Sequence, residues 1–329
     1  MKIAIVGAGF AGLSIAWNLL AQLPCEVMIF DPKGIGGGAS GIATGLLHPY
    51  VGEQGRRSVL ADEGMQASKE LIAEVEKRIN APIALHERII RYVQNDEQRA
   101  MFHSHCEKYG DVKLHTEDTF LITSGITIDC PRYLQGLWQI LSEKGATLVR
   151  SEISSLSALA GFDQIIVAAG SGVRKFPELS SLPVSILKGQ VLKCRAPHGI
   201  DLLPNSAIGK GYVALMQETN TCLVGSTYER EYINEDPDAE LAKSVLFEKI
   251  ATFFPAIHHM EIIDCRAALR VTCKGHYFPI AKQVKDNLWV LTGLGSRGLL
   301  YHAFLGKQLA EAVITGNCEM LSELSHGKN

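Results

Sequence analysis

Residues 2–31 read KIAIVGAGFAGLSIAWNLLAQLPCEVMIFD, and the order of parts in that stretch decides the fold. Ile3 to Val6 make a short apolar strand, and Gly7-Ala8-Gly9-Phe10-Ala11-Gly12 spells GxGxxG. Ala11 to Leu20 has helical composition, and Val27 to Phe30 forms a second strand ending at Asp31. Each glycine has a separate job: Gly7 allows the tight turn, Gly9 lets backbone approach a pyrophosphate, and Gly12 permits close helix–strand packing. The helix N-terminus offers free N–H groups and partial positive charge to phosphates. Asp31 is placed to accept hydrogen bonds from an adenosine ribose. A lone GxGxxG is weak; strand, turn, helix, strand and acid in sequence predict a dinucleotide-binding βαβ unit.

Downstream, residues 34–52 read GIGGGASGIATGLLHPYVG. Apart from Ile35, every residue from Gly34 to Gly41 is Gly, Ala or Ser, and Gly45 follows. Such a loop lets backbone amides pack against a large flat ligand or its phosphates. A second strand–glycine–helix layout stands near the other end, where Leu288 to Thr292 precede Gly293-Leu294-Gly295-Ser296-Arg297-Gly298 and a helical run. Its plain reading is an anion-binding turn or a capped packing helix.

The stretch DCRAALRVTCKGHYFPIAK, residues 264–282, places Arg266 and Arg270 four apart, so a strand presents both on one side. An arginine fork binds a carboxylate bidentately, in a geometry lysine cannot match; surface salt bridging is the alternative for each. Tyr212 and Tyr228 lie on or beside expected sheet strands, where each is either a hydroxyl donor to a carboxylate or an ordinary half-buried tyrosine. His48 brings an imidazole close in sequence to the glycine loop.

These motifs resemble those of the D-amino-acid oxidase and glycine oxidase family of FAD-dependent oxidoreductases. Within it, GASGIATGLLHPYVG, CRAALRVTCKGHYFP and GLGSRGLL look most like the FAD-dependent domain of a bifunctional enzyme that modifies the tRNA wobble uridine. The resemblance implies FAD as cofactor, held by Gly7, Gly9, Phe10, Ala11, Gly12, Asp31, Ala39, Ser40, Gly45, Leu46, Ala169 and Gly170. It implies that Gly293, Gly295, Ser296, Arg297, Gly298 and Leu299 approach the pyrimidine edge of the flavin, where helix charge, aided by Arg297, would stabilise the reduced ring. Arg270, in the ALR context, would hold the substrate carboxylate, with Arg266, Tyr212 and Tyr228 as further candidates around the substrate. The implied reaction is hydride transfer to flavin N5 from the carbon beside nitrogen in a glycine-like amine. The substrate would be carboxymethylaminomethyl-uridine in tRNA, or free glycine, sarcosine or a D-amino acid. His48 would be a polar neighbour of the flavin ring rather than a covalent attachment point; His276 and Pro279 fit the family pattern loosely, and Ala281 stands where the family usually has glycine. A nicotinamide dehydrogenase would share GxGxxG but has no need for the second small-residue loop; a non-catalytic flavoprotein is the other alternative.

The resemblance also demands a discontinuous Rossmann-like α/β cofactor domain, and the pattern complies. A helix from Arg132 to Lys144, a strand from Thr147 to Arg150 and an apolar strand from Gln164 to Ala168 return after something different in kind. Residues 1–50, 131–180 and 276–329 are therefore assigned to the FAD domain. Residues 51–130 and 181–275 go to an inserted α+β substrate domain on an antiparallel sheet. The charged helix pattern from Ser58 to Arg78 falls in the latter.

Composition excludes several classes. The chain of 329 residues is 47% hydrophobic and 20% charged, with formal charge −3, which gives no general attraction for nucleic acid or anionic membranes. Eight cysteines without a CxxC pair suit reduced thiols in the cytoplasm. His103, His105 and Cys106 have no second ligand group in the sequence, so no metal is expected. No apolar run reaches the length of a membrane span, and a strand starting at residue 2 leaves no room for a signal peptide.

Overall fold

The computed structural model describes residues 1–275 and 278–321. The chain opens with β1 (Lys2–Val6), α1 (Phe10–Gln22), β2 (Glu26–Phe30), β3 (Leu46–Leu47) and α2 (Ala61–Ile79). It continues through β4 (Ala84–Tyr92), α3 (Asp96–Lys108), β5 (Val112–Thr116), β6 (Thr119–Ile128), α4 (Cys130–Glu143), β7 (Thr147–Val149) and β8 (Gln164–Val167). Then come β9 (Val184–Arg195), β10 (Ser206–Ile208), β11 (Tyr212–Leu215), β12 (Thr221–Gly225) and α5 (Ala239–Ala251). The last elements are β13 (Glu261–Cys273), β14 (Ile280–Lys285), β15 (Leu288–Thr292) and α6 (Gly298–Thr315).

Two sheets organise these elements. The first has the order β14-β15-β8-β1-β2-β7, parallel throughout except for the β14–β15 hairpin. Its period-two alternation is buried on both faces, as parallel sheets require. Ile3 and Ile5 of β1 face α1, α4 and α6, while Ala4 and Val6 face a second core built from Leu156, Phe176 and Leu179. The four pieces 2–30, 147–149, 164–167 and 280–292 thus meet in one sheet although they are far apart in sequence.

The second sheet has the order β13-β9-β12-β11-β10-β4-β6-β3, with β5 on β6. Its pairings are antiparallel apart from β10–β4. On β9, Leu192 and Cys194 pack against Leu246 and Ile250 of α5. Strand alternation then turns Gly189, Val191 and Lys193 to the opposite face. That opposite face carries the candidate site.

Helix α2 departs from the sequence expectation. Met65, Ile72 and Val75 join the core formed by α1, α4 and α6, and Ser68 Oγ donates to the Leu299 carbonyl at 2.7 Å. The sequence marks this segment as a charged helix, and a helical pattern says that a face must be covered and not by what. The charged pattern of residues 58–78 therefore packs on the parallel-sheet side of the molecule.

Candidate functional site

The turn after β1 is built as its glycines require. Gly7 has φ +114, and a Cβ there would lie 2.3 Å from the Ala168 carbonyl oxygen at the end of β8. A Cβ on Gly12 would lie 1.9 Å from the Gly7 carbonyl oxygen, so α1 can close onto β1 only without one. Asp31 lies directly beneath: its Oδ2 accepts from Ala8 N at 2.9 Å, and its Oδ1 from Lys33 N and Gly34 N at 2.9 and 3.0 Å. A carboxylate offers about four acceptor positions, so Asp31 fixes two turns and keeps capacity for a ribose hydroxyl.

The small-residue loop folds over the start of α1. Ser40 Oγ accepts from Phe10 N at 3.1 Å, and Gly36 N donates to the Ala8 carbonyl at 2.9 Å. Gly45, with φ +86, pairs with Ile128 and leads Leu46 and Leu47 into β3 against β6. Ala169 and Gly170 leave β8 beside Gly7.

At the other end, β15 delivers Gly293 into a turn that touches both sheets. Leu294 bridges Thr272 of β13, a Cβ on Gly295 would come within 3.0 Å of Thr272 Cγ2, and one on Gly298 would meet the Phe10 ring at 3.4 Å. The N-terminus of α6 therefore stands against the N-terminus of α1. Among the described residues, Thr292 Oγ1, just before the turn, and His48 Nδ1, just after β3, are buried without a hydrogen-bond partner.

The site-facing side of the second sheet continues from Thr272. Arg270 is next on that face. Its Nη1 donates to Ser226 Oγ at 3.0 Å, its Nη2 to the Thr227 carbonyl at 2.7 Å, and its guanidinium carbon lies 4.3 Å from the centre of the Tyr228 ring. Tyr212, Gly225, Val191 and Arg266 form one row across β11, β12, β9 and β13. A cavity of about 240 Å³ opens between this face and the glycine loop, lined by Gly41, Ala43, Val191, Lys193, Asp264 and Arg266 among others.

The family model for FAD-dependent oxidoreductases of the DAO type matches residues 2–312. The chain belongs to that family. The cradle agrees with its cofactor: a phosphate-sized glycine turn at a helix start, an acid for the ribose, small residues across a long span, and unpaired buried polar groups toward the far end. A bifunctional tRNA 5-methylaminomethyl-2-thiouridine biosynthesis protein of Marinobacter nauticus is 23% identical over 94% of this chain and 55% of its own length. The chain thus spans about half of that relative. An uncharacterised oxidoreductase of Bacillus subtilis is 22% identical, with 96% of this chain and 95% of the relative covered. Among solved structures, glycine oxidase from Geobacillus kaustophilus shares the fold with a TM-score of 0.81 at 20% identity, over 97% of this chain and 98% of that one.

The geometry separates the candidates taken from the sequence. Gly7, Gly9, Ala11, Gly12, Asp31, Ala39, Ser40, Gly45, Leu46, Ala169 and Gly170 belong to the segments joined around the first turn. Phe10 contributes its backbone N–H there, while its ring is buried against His302 and Tyr133. Gly293, Gly295, Ser296, Gly298 and Leu299 gather at the second turn. Arg297 does not simply follow them: its Nη2 donates to the Val51 carbonyl at 3.0 Å and its Nε reaches Ser58 Oγ at 3.4 Å. The side chain is long enough to leave the turn and grip loop 51–58, which Arg91 holds through Gly52 and Glu53.

Arg266 shares a side with Arg270, as spacing predicts, yet the two do not converge. Strand β13 is the sheet edge, so Arg266 reaches solvent at the cavity rim and its Nε donates to Asp264 Oδ2 at 2.7 Å. Tyr228 is half exposed and covers Arg270, whereas Tyr212 packs against the cluster that holds Tyr50, Ile89 and Ile208. His276 lies outside the described residues. Sequence reasoning passed over Ser226 and Thr227, which hold Arg270, and Gly189 beneath it; a glycine inside the run ILKGQVL was the available signal.

Two buried histidines stay neutral. Burial, with Arg91 and Arg297 adding to it, pulls His48 down to about 3, so it is uncharged where it stands after β3. Burial pulls His302 down to about 4. Its Nδ1 faces the Gly298 and Leu299 carbonyls and must carry the proton, so Nε2 accepts from the Tyr133 hydroxyl at 2.7 Å. Above pH 6.5 this ring is neutral folded or unfolded and adds no pH dependence. Between 6.5 and about 4 only the unfolded chain takes the proton, so stability falls as pH falls. The slope from one such ring is about 1.4 kcal/mol per pH unit. Urea unfolding at pH 7, 6 and 5 should show His302→Gln with a shallower decline than wild type by roughly that amount per unit; equal slopes would mean that the ring is charged in the fold.

Proposed function

We propose that the chain oxidises the C–N bond of a glycine-like amine, receiving the substrate carboxylate at Arg270. The observation that carries this reading is the placement of Arg270. It stands one same-face step from Thr272, which pairs with the glycine turn starting α6, and its Nε is buried without a partner. A buried cation with an unused donor favours an anionic group beside it. FAD supplies the acceptor for the hydride when bound. The protein's part is to bind, orient and desolvate: Arg270 fixes the carboxylate and so the carbon that must meet the ring. The amine has to be the free base to give up hydride, and a neutral His48 adds no cation that would oppose binding a protonated amine, so selection for the free base rests on the flavin-side surroundings.

The substrate class is an amine carrying a carboxymethyl group. Similarity to a tRNA-modifying protein supports a carboxymethylaminomethyl-uridine substrate; likeness to a glycine oxidase supports a free amine. The rim mixes Lys193 and Arg266 with Asp264 and Asp129, which is no polyanion surface, so we favour the free amine, in a cytoplasmic enzyme. Anaerobic flavin reduction with glycine, sarcosine, D-alanine and tRNA bearing carboxymethylaminomethyl-uridine tests both. Bleaching by glycine or sarcosine is expected. Bleaching by the tRNA alone would transfer the reaction to tRNA, and no bleaching by any of the four would end the amine reading.

A further inference from the structure

Gly189 sits in the middle of β9, directly opposite Ala268 and diagonal to Arg270. A Cβ added there would lie 2.6 Å from Nη2, 2.8 Å from Cζ and 2.9 Å from Nε of Arg270. No real side chain tolerates such contacts, so the guanidinium rests where any other residue would put its first carbon. The Tyr228 ring covers it at 4.3 Å. Each Nη spends one of its two N–H groups, on Ser226 Oγ and on the Thr227 carbonyl, which leaves Nε–H and an N–H beside it to fork onto a carboxylate.

That anchor is itself braced. Thr227 Oγ1 accepts from Gln190 N at 2.9 Å and donates to Glu229 Oε1 at 2.5 Å, and Glu229 Oε1 also accepts from Gln190 Nε2 at 2.9 Å. Gln190 neighbours Gly189, so the strand that provides the bare position also fixes the carbonyl that holds Arg270. Of the guanidinium donors, Nε–H is buried with no acceptor.

We infer that Gly189 is a positioning residue for carboxylate recognition: its missing side chain forms the slot in which Arg270 lies under Tyr228, Nη edge fastened and Nε–H turned to the substrate carboxylate. The inference rests on Arg270 being the carboxylate receptor. Arginine loses much rotamer freedom when ordered. A slot that removes this freedom before the ligand arrives lowers the cost of binding. In an ordinary strand a glycine weakens the sheet; here the lost side chain is the function.

The test uses flavin-loaded variants. Binding of methoxyacetate, a carboxylate with no oxidisable C–N bond, is read from flavin absorbance, and KM and kcat are measured with the panel amine that reduces the flavin fastest. Gly189→Ala should weaken methoxyacetate binding and raise KM by ~10-fold or more, leaving kcat within ~3-fold and flavin content unchanged. In an Arg270→Leu background the same substitution should change methoxyacetate binding no further. Tyr228→Phe should bind as wild type, while Tyr228→Leu should bind ~3–10-fold more weakly, because only the ring covers the cation.

Wild-type binding by Gly189→Ala, or the same increment with and without Arg270, overturns the inference. Should Gly189→Ala not fold, the Tyr228 pair decides, and wild-type binding by Tyr228→Leu overturns it. Arg270→Leu with undiminished binding sinks the carboxylate reading and this inference together; weakened Arg270→Leu beside a normal Gly189→Ala removes the slot alone.

Discussion

Gly12→Val yields a protein that purifies without flavin. The clash is with backbone: the new Cβ would stand 1.9 Å from the Gly7 carbonyl oxygen and 3.1 Å from its carbon, with Ile5 Cγ2 at 3.3 Å. No rotamer relieves it, because the Cβ position is set by the main chain. Either α1 moves off β1 or the Gly7 turn opens, and both spread the N–H groups that should converge on phosphate. Overpacking of a rigid site costs ~1–3 kcal/mol, and loss of the shared anion site adds to that, so FAD affinity should fall by roughly 100-fold or more. Flavin-to-protein absorbance after purification and desalting measures it. Gly110→Ala is the control, since a Cβ there meets nothing within 4 Å and flavin content should not change. Stoichiometric flavin in folded Gly12→Val would remove Gly7 to Gly12 from the pyrophosphate site.

How far the sequence alone reached depended on the range of each constraint. The β1–α1–β2 unit was legible because everything that shapes it lies within thirty residues: an apolar run from Ile3 to Val6, a glycine triad and an acid at the strand end. The return of β8 and β15 to the same sheet was legible as composition, since a parallel strand buried on both faces is apolar throughout. Constraints set by a distant partner were not. Arg266 was placed on the correct side of β13, but nothing local says that β13 is an edge, and the edge sends Arg266 to Asp264 and solvent. Arg297 sits in the turn by sequence, while its reach carries the charge to Val51 and Ser58. Gly189 drew no reading from the sequence, because only Arg270 lying on it gives the missing side chain a use. A residue chosen for what it lacks leaves no mark until its neighbour is known.

Arg270→Leu should keep its flavin and lose its substrate. Among the described residues the guanidinium hydrogen-bonds to Ser226 Oγ and the Thr227 carbonyl, and Thr227 is held independently by Gln190 and Glu229. Stability should therefore fall by only about 1 kcal/mol for the acceptors left behind. Substrate binding loses a charge-assisted fork. Hydrogen bonds to charged groups are worth ~1.5–3 kcal/mol each, so kcat/KM should drop by roughly 100- to 10,000-fold. Because the carboxylate is held in ground state and transition state alike, most of that loss belongs in KM. Arg270→Lys should recover only part, since an ammonium supplies charge without the planar fork. The uncharged amide of the same amine sharpens the point: wild type and Arg270→Leu should oxidise it at similar rates, because it has no carboxylate for the arginine to grip. A KM within about twofold of wild type for the carboxylate substrate would take Arg270 out of the site. The same loss on the amide would instead make Arg270 a support of the sheet face, with the Ser226–Thr227 corner depending on the arginine.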